Sequence, residues 1–321
     1  MLKNLFFIFL LFIVSSCGGG GGDSSPTNNI NNILSNATTE SGTSAPISGE
    51  SCSLYQTNIH RCNLIHDGIN RYYFSYVPPN LDTTKSIPVL FALHGYGSYA
   101  SRHLDYTNYM PLADENNFIV IYPQGATTST LSTHWNIGGW TSKSTINDLN
   151  YIETIINLVK DKIQIDETRI YSSGMSNGGY MSYHLACNLS DKFAAVASVT
   201  GSMSFDTFND CNPSHPTAVL QIHGLLDFVV PYNGNSGSKS IPDVVDYWVN
   251  YNSCNLEPNR VINDNFIVFD TYENCLNNLN VKLIVHPEMG HDWPSIYSYG
   301  VSASIEIWNF LSKYNIHGRI N

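Results

Sequence analysis

Positive charge is scarce in this sequence of 321 residues: 15 lysines and arginines stand against 26 aspartates and glutamates, a formal net charge of -11. No basic stripe is available to neutralise phosphates, which excludes nucleic acid as a partner. Charge of either sign is sparse, at 13% of residues, whereas Tyr, Asn and Ser are plentiful. That balance suits an extracytoplasmic protein better than a cytosolic one. No Cys-x-x-Cys or His-x-x-x-His spacing occurs, so neither a metal nor a cofactor is expected. The longest apolar run, Leu5 to Val14, is too short to span a bilayer as a stable helix, and no internal repeat is visible.

What is there begins with an export pattern. Lys3, the Leu5 to Val14 run and Ser15-Ser16-Cys17 read as a signal segment, and Val14-Ser15-Ser16-Cys17 resembles a bacterial lipobox. The resemblance implies a lipoprotein signal peptide at 1–17, with Cys17 lipidated as the new N-terminus. Gly18 after it implies sorting to the outer membrane or cell surface. Residues 18–50 are rich in Gly, Ser, Asn and Thr, cannot bury enough apolar surface to fold, and read as a flexible tether. Residues 51–321 are expected to form one catalytic domain. Six cysteines remain besides Cys17, an even number in an exported chain, and sequence proximity pairs Cys52 with Cys62, Cys187 with Cys211, and Cys254 with Cys275.

Within the domain, Ile69 to Val77 before Pro78-Pro79 has the aromatic richness of an edge strand. Pro88 to Leu93, Phe118 to Pro123, Phe193 to Val199, Thr217 to Ile222 and Val281 to Val285 are nearly continuous apolar runs, the pattern of strands buried on both faces. Helical spacing intervenes at 110–116, from about Asp148, at 241–251 and at 301–311. Strands that alternate with helices predict an α/β fold, a mostly parallel central sheet with helices on both faces.

One stretch organises the rest. Arg169-Ile170-Tyr171 leads into Gly174-Met175-Ser176-Asn177-Gly178-Gly179, a strand, a Gly-x-Ser-x-Gly turn and a helix start. A strand that turns sharply into a helix forces backbones together, so the residues around the serine must be small. Ser176 is therefore read as a nucleophile. A serine hydroxyl needs a base, and the base needs a carboxylate to orient it. In chain order after Ser176, Asp227 follows one apolar strand and His291 follows another, each on a loop at a strand's carboxyl end. His94 and His223, next to glycines directly after strands, read as loop braces, and Asp148 reads as a structural charge at a helix start. The developing oxyanion needs donors, assigned to the backbone N–H groups of Asn177 and of Tyr96, between Gly95 and Gly97.

With these residues in hand, the chain resembles the secreted polyhydroxybutyrate depolymerase and feruloyl esterase family of α/β hydrolases from about Gly68 to Phe310. The carriers are Leu93-His94-Gly95-Tyr96-Gly97, Trp135-Asn136, the Ser176 turn, Phe193 to Ala197, His223 to Asp227 with Val230-Pro231-Tyr232, and Gly290-His291-Asp292-Trp293-Pro294. The resemblance implies an α/β-hydrolase fold, a serine carboxylic ester hydrolase with the triad above, and Trp135, Tyr232 and Trp293 near the acyl pocket. Members often carry cysteine at the position of Tyr96 and two aspartates at Asn147-Asp148, so this chain departs from the pattern there. No polymer-binding module is visible, which favours soluble esters or oligomers over crystalline polyester. The expected activity is on hydroxyalkanoate or related esters. The alternatives are feruloyl or acetyl xylan esterase action on plant cell-wall polysaccharide, and a non-catalytic binding lipoprotein that uses the loop with Trp135 and Trp140.

Overall fold

The computed structural model describes residues 49–127 and 132–320. The signal segment, Cys17 and nearly all of the tether lie outside the described residues. From residue 51 the chain runs back and forth through β1 (Ser51–Gln56), β2 (Ile59–His66) and β3 (Ile69–Tyr76), paired antiparallel. It then alternates: β4 (Ile87–Leu93), α1 (Ala100–Thr107), α2 (Met110–Asn116), β5 (Ile119–Pro123), a short hairpin of β6 (Ala126–Thr127) and β7 (Thr133–His134), and α3 (Asp148–Lys160). Next come β8 (Ile165–Met175), α4 (Asn177–Asn188), β9 (Ala195–Val199), α5 (Phe205–Asp210), β10 (Ala218–Gly224) and α6 (Ile241–Tyr251). The antiparallel hairpin β11 (Asn259–Ile262) and β12 (Val268–Tyr272), then β13 (Val281–His286), α7 (Ile296–Tyr299) and α8 (Ala303–Leu311), follow.

Eleven strands form one sheet in the order β1-β2-β3-β5-β4-β8-β9-β10-β13-β12-β11. The six central strands, β5 to β13 in that order, are parallel. Every residue of β4, β5, β9 and β10 is buried, as continuous apolar runs in a sheet covered on both faces require. Antiparallel strands extend both edges, so the sheet as a whole is mixed. The aromatic stretch expected at an edge is β3, which instead lies between β2 and β5. Pro78 and Pro79 come after the strand ends, remove no ladder hydrogen bond and so place no demand for an edge.

Adjacent residues of β8 show that helices cover both faces, because successive side chains of a strand point to opposite sides. Tyr171 packs edge-on against Trp308 of α8, and its hydroxyl donates to the Tyr314 carbonyl at 2.7 Å. Ser172 meets Ser182 of α4 at 2.9 Å. On the α4 side, Tyr183 stacks on Trp248 of α6. On the other side, Ser304 of α8 bonds the Thr107 carbonyl of α1. Helix α3 starts where the side chain of Asn147 accepts from the Asn150 N–H, and it buries Ile152, Ile155, Ile156 and Val159.

All three proximity-based cysteine pairings are formed. Cys52 and Cys62 are register partners across β1 and β2. The bond between Cys187 and Cys211 ties α4 to the end of α5, and Cys254 is joined to Cys275 across the β11–β12 hairpin.

Candidate active site

Strand β8 enters helix α4 through a single residue, Ser176, held at φ 54 and ψ -123. A non-glycine residue there is strained by about 1–3 kcal/mol and persists only where its surroundings over-determine it. They do so here by crowding. A Cβ on Gly174 would fall 2.2 Å from the Gly178 carbonyl, and one on Gly178 would fall 2.0 Å from the Leu93 oxygen. The Ser176 N–H is bonded to the Val199 carbonyl of β9 at 2.9 Å. Backbone contact between β4, β8 and α4 thus fixes the turn and projects the hydroxyl from the carboxyl end of the sheet.

Asp227 arrives three residues after β10, and His291 five residues after β13. Asp227 Oδ2 accepts from His291 Nδ1 at 2.8 Å, while Oδ1 accepts from the Val229 and Val230 N–H groups at 2.9 and 2.8 Å. Burial opposes ionisation of this carboxyl, which is 2% exposed, but the hydrogen bonds from His291 and Val230 outweigh it and hold the pKa below the usual aspartate value. An ionised carboxylate only accepts, so Nδ1 of His291 carries the proton and Nε2 is left as the basic lone pair. His291 and Ser176 line one open pocket of about 350 Å³.

Tyr96 lines the same pocket, on the loop after β4. Among the described residues, neither its N–H nor that of Asn177 has a protein acceptor. The loop runs close to the serine: a Cβ on Gly95 would lie 3.3 Å from Ser176 Cβ. Both candidate donors are braced by the segment 133–136. The Asn177 side chain accepts from the Trp135 N–H at 2.7 Å and donates to the Trp135 carbonyl at 3.1 Å. The Trp135 indole donates to the His94 carbonyl at 2.9 Å, and the Gly97 N–H donates to the Thr133 carbonyl at 2.7 Å. Asp148, paired with buried Arg71 at 2.8 Å, holds the Asn136 N–H through its other oxygen at 2.8 Å.

Trp135, expected near the acyl group, is therefore a fully buried brace. Trp293 is buried too, its indole N–H on Ser304 and its ring edge-on to His103. Tyr232 sits against His223, whose ring it meets at 6.1 Å. None of the three is part of the pocket lining. The wall facing the serine is instead made by Arg102, His103 and Tyr106 of α1, with Ser98 and Met175. Short, mostly polar α1 carries no sustained apolar period, so its role had no signature beyond the i, i+4 spacing of Arg102 and Tyr106.

His94, His223 and His286 are engaged with the backbone. His94 donates from Nδ1 to the Gly95 carbonyl and accepts at Nε2 from the Gly125 N–H, and His223 donates from Nε2 to the Val230 carbonyl. Burial lowers both pKa values to about 4, so both are neutral. His286, the last residue of β13, bonds the Tyr299 carbonyl. Asp292 is engaged by other groups, accepting from Tyr106, Tyr299 and the Trp293 N–H.

Comparison with known proteins finds relatives of the whole fold. The profile of the prolyl oligopeptidase family matches residues 103–214, the part from within α1 to just past α5. A bifunctional acetylxylan esterase/xylanase of Neocallimastix patriciarum is 30% identical over 79% of this chain and 35% of its own length. Feruloyl esterase B of Piromyces equi is 26% identical over 67% of this chain and 41% of its own length. The chain thus spans well under half of these two relatives. Among solved structures, an acetyl xylan esterase from Aspergillus awamori superposes with a TM-score of 0.61 at 16% identity, over 79% of this chain and 98% of that one. A ferulic acid esterase of Anaeromyces mucronatus gives 0.54 at 15% identity, over 86% and 94%. With the sheet order, the serine turn and these relatives taken together, the chain has the α/β-hydrolase fold and is similar in sequence to feruloyl and acetylxylan esterases.

Proposed function

We propose that this protein is a serine carboxylic ester hydrolase that acts on feruloyl or acetyl esters of plant cell-wall polysaccharide. The observation that carries the reading is the 2.8 Å bond between buried Asp227 and His291, beside a pocket that His291 shares with Ser176. Ser176 Oγ attacks the ester carbonyl as His291 Nε2 takes its proton, and the tetrahedral oxyanion is received by the N–H groups of Tyr96 and Asn177. His291 then protonates the departing alcohol. Water, activated by the same nitrogen, releases the acid and restores Ser176. Asp227 remains ionised throughout and stabilises the imidazolium.

The names of the relatives favour cell-wall esters over hydroxyalkanoates, the first expectation from sequence. A panel of ethyl ferulate, acetylated xylan and hydroxybutyrate oligomers ranks the two. Ser176→Ala should abolish turnover of whichever is cleaved, with the fold retained by circular dichroism. If the wild type cleaves no ester, or the alanine variant keeps the activity, the hydrolase reading fails and a binding protein takes its place.

The proposal extends to location: lipidation at Cys17, a tether over 18–50, and a catalytic domain from 51 outside the cytoplasm at the cell surface. The three disulfides support an oxidising compartment. Incorporation of labelled palmitate by the expressing bacterium, lost on Cys17→Ala, is the expected result. A soluble, unlabelled wild type would refute the anchor.

A further inference from the structure

The pocket beside Ser176 carries one full charge that the mechanism above does not use. Arg102 lies on its wall, and among the described residues it makes no ion pair or side-chain hydrogen bond. No aspartate or glutamate lines the pocket. Asp292, which meets this wall through Tyr106, is already engaged by Tyr106, Tyr299 and the Trp293 N–H. His103 adds no charge: it is 2% exposed and packed edge-on to Tyr122 and Trp293, so it is neutral. The guanidinium is thus the one permanent charge on a surface made otherwise of glycine, hydroxyl, thioether and ring groups.

Position gives that charge a purpose. Arg102 and Tyr106, four residues apart on α1, share the face that looks onto the serine pocket. A guanidinium presents a planar fork of donors that matches a carboxylate bidentately, and it gains nothing comparable from a neutral ester. The protein's net charge of -11 repels acidic ligands at long range. An acidic substrate therefore needs a local cation at the site where it reacts.

We propose that Arg102 makes this a carboxylate-selecting pocket: the preferred ester bears a free carboxylate within reach of α1, in its acyl group or in the sugar that carries the acyl group. The inference rests on the ester-hydrolase reading and specifies the substrate class of the same site.

Two matched pairs of substrates, given to the whole chain, test it. The first pair is p-nitrophenyl hydrogen glutarate and p-nitrophenyl valerate, alike in length and different in the terminal carboxylate. The second is an acetylated methyl glucuronoside and the corresponding acetylated methyl xyloside. The expected result is a preference of roughly fivefold or more in kcat/KM for the acidic member of one pair, the scale of a single charge-assisted contact at a partly solvated site. Preference in the first pair assigns the carboxylate to the acyl group, and in the second to the sugar. Arg102→Gln should bring the ratio close to one, Arg102→Lys should keep part of it, and about 0.5 M salt should narrow it in the wild type. Equal rates within both pairs, or a ratio unchanged in Arg102→Gln, overturns the proposal while ester hydrolysis itself stands. A wild type that cleaves none of the four refutes the hydrolase reading and this inference with it.

Discussion

Asp227 remains charged although it is almost wholly buried, because His291 and two backbone N–H groups surround its oxygens. An asparagine at 227 could donate toward His291 and impose the opposite tautomer, with the proton on the nitrogen that should act as base. Asp227→Asn should therefore lower kcat by about 10⁴-fold, the size of the effect of the analogous change in another serine hydrolase, without loss of fold. Stability follows the same group. A carboxyl whose folded pKa is depressed contributes stability that is present above the unfolded value of about 3.9 and is lost as pH falls through the folded value. The wild type's advantage over Asp227→Asn in urea denaturation should thus be largest near neutrality and shrink at the acid end. An advantage that does not change with pH would refute the assignment of charge. The residues of the proposed triad are readable in the sequence because each follows an apolar strand closely. Arg102 is not, since no local pattern says that a polar helix will face a serine 74 positions later.

At the scale of elements, the site depends on how close three backbones come. Gly178 sits where a methyl group would meet the Leu93 oxygen at 2.0 Å, so Gly178→Ala must push α4 away from β4. Such overpacking costs about 1–3 kcal/mol or more, and it should appear as a lower denaturation midpoint together with a larger loss of kcat than of folding. The 133–136 segment is the second device. Asn177→Ala removes both bonds to Trp135, each net hydrogen bond being worth about 1 kcal/mol, and frees the donors on either side of the oxyanion position. We expect kcat to fall by at least tenfold with KM little changed. A change in KM alone would assign Asn177 to binding. Trp135 belongs to a motif of the resemblance, yet it is fully buried and braces the loop after β4. A motif records that a residue is needed, and burial shows whether it is needed beneath the site or in it.

At the scale of the whole molecule, the fold carries five histidines whose pKa values burial lowers: His60, His94, His184 and His223, the last three to about 4, and His103 to about 3. The unfolded chain takes up protons near pH 6.5 and the folded chain does not, so the unfolded state binds more protons between about pH 6.5 and 4. Stability should therefore fall as pH drops through that window, visible as a declining melting temperature from pH 7 to pH 4.5. A flat profile would mean that these rings are not held neutral. Reduction of the three disulfides removes cross-links that typically contribute 2–4 kcal/mol each, and it should lower the midpoint further.

The amino-acid sequence by itself determined the central strands, the serine turn and the three cysteine pairs, because each depends on neighbours in the chain: unbroken apolar runs, small residues around Ser176 and short separations between cysteines. It also ordered Asp227 and His291 after Ser176. Only the tertiary structure decided that the aromatic third strand is interior, that antiparallel strands extend both sheet edges, and that α1 and not the tryptophans forms the pocket wall. Those outcomes depend on which distant surfaces meet. The Ser176 turn, α1 and the His291 loop share a pocket because parallel strands end on the same side of the sheet, whatever the distance between them along the chain.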